Sequence, residues 1–263
     1  MEQNSLAAAL CMTTLAGLST GLGGLLVLWH LPGKKLLARA LGFAAGVMLA
    51  VSLGDLTPMG MEYFSARLPP AAAGAAAAGL LLAGMLTGAA MDGILPEEKT
   101  LWNSIAGQDA DDRRRALHCG VVVGLALVAH NLPEGILTLF SGVQDPREGL
   151  RLSLAIALHN LPEGISTAAP IWYATHSRKK SVLAAFGSGL AEPLGALLAY
   201  FVLSPVLSPG LLAGLTLGAA GVMCWVSVSE LLFGGFALGR RGDTAAGFAA
   251  GVCGMILGIA VLA

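Results

Sequence analysis

The chain is short of charge, of paired thiols and of aromatic rings. Only 12% of its 263 residues are charged and 6% are aromatic. A soluble domain carries about 25% charged residues, so a water-soluble globule is excluded. Its four cysteines, Cys11, Cys119, Cys224 and Cys253, form no CxxC pair and lie in or beside apolar segments. They read as small buried hydrophobes, not as disulfides or a soft-metal site. A net charge of −1 gives no global field for nucleic acid or another polyanion. The first apolar stretch has no basic run ahead of it and no small-residue cleavage site, so it reads as a spanning helix and not a signal peptide.

What remains is apolar: 56% of the residues are hydrophobic and 36 are glycine, as expected where helices pack closely in lipid. A span needs about 20 mostly apolar residues. Eight segments fit, at 5–29, 36–62, 71–95, 117–141, 150–173, 181–203, 210–236 and 244–262. The sequence therefore predicts an all-α, polytopic membrane protein with a single transmembrane domain over 1–263. The one long polar connection, 96–116, is predicted to be a cytoplasmic loop between helices three and four. Basic residues set the orientation. Connections after the odd-numbered spans hold Lys34, Lys35, Arg39, Lys99, Arg113, Arg114, Arg115, Arg178, Lys179, Lys180, Arg240 and Arg241. The other side holds Arg67, Arg147 and Arg151. Odd-numbered connections are thus expected in the cytoplasm and both termini outside it.

Two repeats carry the chemistry. The heptapeptide HNLPEGI occurs at His130–Ile136 and again at His159–Ile165, on two consecutive spans. An ionisable group at bilayer depth is a functional-site hypothesis by default. At about 100° per residue, His130, Asn131 and Glu134 share one arc of a helix, and His159, Asn160 and Glu163 share the same arc of the next. Facing each other, they offer imidazoles, carboxylates and amide oxygens. That set suits Zn²⁺ and neighbouring divalent metals, and the missing thiolate argues against Cu(I). Pro133 and Pro162 release the carbonyls of Ala129 and Leu158 and are expected to loosen the helices there. Gly135 and Gly164 permit a bend or a close helix contact. Glu192, in GLAEPLG, is a third acidic candidate; its plainer reading is a carboxylate satisfied by a neighbouring helix.

The second repeat pairs GVMLAVSLGDL (Gly46–Leu56) with GVMCWVSVSEL (Gly221–Leu231). These lie on spans that cross in opposite directions, which predicts an inverted repeat around helices 4 and 5, a transporter architecture with binding near the midplane. Chance likeness of Gly/Ala/Val-rich segments is the competing account, against which the aligned acids Asp55 and Glu230 stand. His30, His118 and His176 read as interfacial or loop residues.

The paired HNLPEG segments, GFAAGVM at Gly42–Met48 and GLAE at Gly189–Glu192 resemble the ZIP (Zrt/Irt-like) metal transporters, most closely a bacterial ZupT-like branch. The resemblance implies eight helices arranged three plus two plus three, with helices 1–3 and 6–8 as the repeats, often as a homodimer in the cell (inner) membrane. It implies transport of zinc and related divalent cations towards the cytoplasm, the metal being substrate. It further implies one metal position at His130, Glu134, His159 and Glu163, and a second at Asn131, Glu134, Asn160, Glu163 and Glu192. Asp55 and Glu230 become transport-path candidates, although acids near span ends can also simply reach interfacial water. Met48, Ser52 and Met223 are further path candidates, with packing as the alternative. The chain departs from many members in having no histidine in 96–115. Two rivals use the same residues: an intramembrane metal-dependent hydrolase, disfavoured by the absence of HExxH, and a proton-coupled carrier of an organic solute.

Overall fold

The computed structural model describes residues 3–29, 33–92, 128, 131–203, 208–238 and 240–262. The expected 96–116 loop, the start of the expected 117–141 span, and His30, His118, Cys119 and His130 lie outside the described residues. Among the described residues every regular element is a helix. In order these are α1 (Gln3–Trp29), α2 (Lys34–Val51), α3 (Thr57–Ser65), α4 (Pro70–Asp92), α5 (131–144), α6 (Pro146–Thr175), α7 (Arg178–Gly189), α8 (Ala191–Leu198), α9 (Pro209–Val226), α10 (Phe233–Ala237) and α11 (Arg241–Leu262). Wider π turns join α2 to α3 (Ser52–Leu56), extend α8 (Ala199–Leu203) and join α9 to α10 (Ser227–Leu232).

Five helical stretches among the described residues are long and apolar enough to cross a membrane: Ser5–Leu28, Lys35–Ser65, Pro70–Ala90, Arg178–Val202 and Pro209–Ala237. α6 is not among them. In α6 the polar HNLPEG segment and the Arg147, Glu148 and Arg151 start dilute the apolar character of a 30-residue helix.

Local chemistry fixes the ends and the breaks. Asp145 caps α6 by accepting from the Arg147 amide at 2.8 Å, with Pro146 in the first turn. Ser208 caps α9 through the Leu211 amide at 3.1 Å, ahead of Pro209. His176, left-handed at φ 50°, ends α6. Pro193 cannot donate to the Gly189 carbonyl, and the helix breaks at Leu190. At Pro162, by contrast, α6 runs on without interruption.

The GVM…VS repeat is matched in the backbone. In both copies the α-helix widens into a π turn at the serine, Ser52 and Ser227. Asp55 and Glu230 hold the same place in their turns. In the first copy Pro58 follows closely, and the Ser52 carbonyl accepts both the Thr57 backbone N–H and, at 2.6 Å, Thr57 Oγ1.

Packing runs through glycine. α1 lies along α6, α2 along α11 and α4 along α9. The sequence GFAAGV occurs in both α2 (Gly42–Val47) and α11 (Gly247–Val252), and the two copies pack reciprocally. A Cβ on Gly46 would collide with the Phe248 carbonyl, and one on Gly251 with the Phe43 carbonyl. Such approach of bare backbones is how membrane helices gain dispersion contact without a hydrophobic drive. The largest apolar cluster, with Met48, Val51, Leu56, Ile156, Met223 and Val226, joins α2, α6 and α9.

At the head of α11, ahead of its apolar run, Asp243 accepts from Arg39 Nε at 3.0 Å and from Arg240 Nε at 2.8 Å. Slight burial pushes its pKa up, but the hydrogen bonds and charges of Arg240, then of Arg39, outweigh it and leave the carboxyl below its ordinary value. A lowered folded-state pKa stabilises above the ordinary carboxylate range, and that contribution is lost as pH falls through the lowered value. In detergent, the melting-temperature gap between the wild type and Asp243→Asn is expected to be small, because both arginines are exposed. It should be widest at about pH 7 and close towards about pH 3; an equal gap at both would contradict this assignment.

Candidate metal centre

The second copy of the heptapeptide lies mid-way along α6; the described residues of the first copy, 131–136, lie in α5. Asn131, Glu134, His159, Asn160, Glu163 and Glu192 are all fully buried, none more than 1% exposed. The described members of both copies therefore turn inward. His159 Nε2 stands 3.3 Å from Glu134 Oε1, which ties the α6 copy to the α5 copy across the helix pair. His130 lies outside the described residues.

The two amides are oriented by backbone. Asn131 Nδ2 donates to the Ser188 carbonyl at 3.1 Å, and Asn160 Nδ2 donates to the Ala16 carbonyl at 3.1 Å. Asn160 Nδ2 also meets Glu192 Oε1, which brings the α8 acid onto the α6 copy. With the nitrogens committed, Asn131 Oδ1, Asn160 Oδ1 and Glu192 Oε2 are buried oxygens with no hydrogen-bond partner among the described residues. An unsatisfied buried acceptor costs about 1–3 kcal/mol, and a cation is what such a set of acceptors fits. Among the described residues no three His, Cys, Asp or Glu groups gather tightly enough to hold an ion by themselves. The described acids are distributed over α5, α6 and α8.

Glycines of the motif set how closely the flanking helices approach. A Cβ on Gly135 would strike the Glu192 carbonyl of α8, and one on Gly164 the Thr20 carbonyl of α1. In return Gly195 of α8 faces the Leu132 carbonyl, and Gly23 of α1 faces the Leu161 carbonyl. The two sets correspond residue for residue: Asn131 with Ser188 and Asn160 with Ala16, Gly135 with Glu192 and Gly164 with Thr20. At the meeting point Gly17 and Gly189 face each other's carbonyls. Helix α1 thus stands to α6 as α7–α8 stand to α5.

Sequence reasoning missed this correspondence, and with it Thr20. That residue occupies on α1 the place that Glu192 holds on α8, fully buried and with Oγ1 lacking a partner among the described residues. The signal was present: GLSTGLG at Gly17–Gly23 and GLAEPLG at Gly189–Gly195 share their outer Gly-Leu and Leu-Gly pairs.

The transport-path candidates fall elsewhere. Asp55 pairs with Arg151 at 2.6 Å. Glu230 is half-buried in its π turn. Met48, Ser52 and Met223 are buried, and the two methionines belong to the large apolar cluster.

The family description "ZIP Zinc transporter" matches residues 97–263. Full-length relatives agree with it. The zinc transporter ZupT of Chlorobium limicola is 40% identical over 261 residues, covering 97% of this chain and 96% of its own. That of Corynebacterium efficiens is 38% identical over 271 residues, covering 100% and 97%. That of Neisseria meningitidis serogroup C is 40% identical over 233 residues, covering 88% and 87%.

The chain belongs to the ZIP family. ZIP proteins are membrane transporters and not enzymes, which sets the hydrolase reading aside. Together with five stretches able to cross a bilayer, membership makes this a multi-pass membrane protein.

The backbone contacts of the ZIP motif are open to a direct test. Gly135→Ala and Gly164→Ala should each destabilise the detergent-solubilised protein by roughly 1–3 kcal/mol, the usual cost of overpacking. Gly74→Ala, which has nothing within 4 Å of its added methyl, should leave the melting temperature unchanged or raise it slightly.

Proposed function

We propose that this protein carries Zn²⁺ and related divalent cations across the cell membrane towards the cytoplasm, through a site between α5 and α6. The observation that carries the reading is the His159–Glu134 contact at 3.3 Å between the two motif copies, beside the acceptors Asn131 Oδ1, Asn160 Oδ1 and Glu192 Oε2. Zinc transport by the ZupT relatives named above supports the choice of cargo.

In this reading the chain is one transmembrane domain of eight spans, three plus two plus three, with 96–116 in the cytoplasm and both termini outside. The paired contacts of α1 with α6 and of α7–α8 with α5 support the repeat. The excess of Lys and Arg after odd-numbered spans supports the orientation. A homodimer remains part of the proposal through the ZIP resemblance alone.

The chemistry follows from the ligand types. His130, Asn131, Glu134, His159, Asn160, Glu163 and Glu192 supply imidazole nitrogen and hard oxygen, the donor set borderline divalent ions accept. The three acids give a formal −3. One bound divalent ion reduces it to −1, whereas three ionised acids without an ion would be costly at low dielectric. Ligands must shed protons to bind, so binding weakens in acid.

Reconstituted into sealed vesicles, the wild type should accumulate radioactive zinc. Glu134→Gln and Glu163→Gln should each lower the initial rate by at least about tenfold, in line with losses on disturbing metal sites. Wild-type rates in both variants, at equal insertion, would remove the α5–α6 site from the mechanism.

A further inference from the structure

Asp55, an access-path acid in the sequence reading, is already held by a cation. Arg151 Nη2 lies 2.6 Å from Asp55 Oδ1, and Arg151 Nη1 lies 3.1 Å from Glu148 Oε1. The pair is mostly enclosed, with Arg151 14% and Asp55 17% exposed at the side chain. A cavity of ≈ 490 Å³ opens beside Glu148, lined also by Glu62, Tyr63, Arg67, Asp145 and Ser208. Arg151 and Glu148 sit on α6, the helix that carries His159, Asn160 and Glu163. At about 1.5 Å per residue, Arg151 precedes His159 by roughly 12 Å. Along α6 the order is therefore cavity, Glu148, the Arg151–Asp55 pair, then the deep polar cluster.

A guanidinium has donors and no acceptor, and it does not lose its proton in proteins. Arg151 can neither ligate a metal nor be neutralised by pH. It can only stay on Asp55 or leave it. It bridges two carboxylates on two elements at once, Asp55 in the π turn of α2–α3 and Glu148 one turn earlier on α6, so on leaving Asp55 it keeps a partner.

We infer that Arg151 gates cation admission: its guanidinium occupies Asp55 while the approach is shut, and a divalent cation reaches Asp55 by displacing Arg151 towards Glu148. The inference rests on the reading of this protein as an inward zinc transporter. It also gives the gate a charge threshold. A doubly charged ion is attracted to Asp55 twice as strongly as a singly charged one at equal distance, so charge favours it over Na⁺ or K⁺ as the guanidinium's competitor. The competing account is a static brace between the α2–α3 turn and α6. A brace changes stability and leaves the concentration dependence of uptake alone.

The test measures initial zinc uptake against zinc concentration, with the full chain in proteoliposomes. Arg151→Gln should lower the apparent KM by roughly three- to tenfold, the scale of losing one competing ion pair. Arg151→Lys, which keeps the charge but loses the fork to both acids, should shift it the same way and less. In the Asp55→Asn background, Arg151→Gln should add nothing, since the two act through one contact. An unchanged KM in both single Arg151 variants, with only a lower melting temperature, would make the residue a brace and overturn the inference. So would a full KM shift that persists without the Asp55 carboxylate. Absence of zinc uptake by the wild type itself would instead overturn the transport reading, and the gate with it.

Discussion

Two buried amides, each giving its N–H to a carbonyl of a neighbouring helix, hold the polar centre of this protein in register. The Asn160 bond to Ala16 fixes α6 against α1, and the Asn131 bond to Ser188 fixes α5 against α7. Because a primary amide is donor at one end and acceptor at the other, committing the nitrogen aims the oxygen. The helix contacts and the presentation of oxygen to the interior are thus one arrangement. Were the nitrogens free to turn, the oxygens would no longer be held facing the interior.

That arrangement depends on helices approaching closer than side chains allow. Gly135 and Gly164 follow the motif glutamates directly, and each faces a carbonyl of α8 or α1. The motif carboxylate and the close contact are adjacent in sequence, so a shift of either helix moves both. The same economy recurs at α2 and α11, where one hexapeptide is used twice. Membrane helices have no hydrophobic gain from meeting one another and rely on such backbone proximity.

Much of this was legible in the residues. HNLPEGI twice on adjacent apolar segments located the buried cluster, and the GVM…VS pair was read as a repeat, which the backbone matches with two π turns. Composition sufficed for an all-helical membrane protein. Other features were hidden for physical reasons. The π register of Ser52–Leu56 leaves no compositional mark, since a single extra residue per turn uses the same amino acids. Arg151 looked like one of three basic residues outside the cytoplasm; its partner Asp55 is 96 positions away, and only tertiary structure joins them. Thr20 was concealed because it shares no chemistry with Glu192, although the glycines around both are alike. α6 continues through Pro162, so a missing donor alone does not break a helix gripped on several sides.

The α2–α11 pair has a mechanical consequence. Glycine notches seated on opposing carbonyls, with Arg39 and Asp243 fastened at one end, leave no clearance for one rod to slide along the other. The two must tilt or translate as a single beam. Any rearrangement that passes an ion would then be accommodated along the seams between this beam and its neighbours, and not within it.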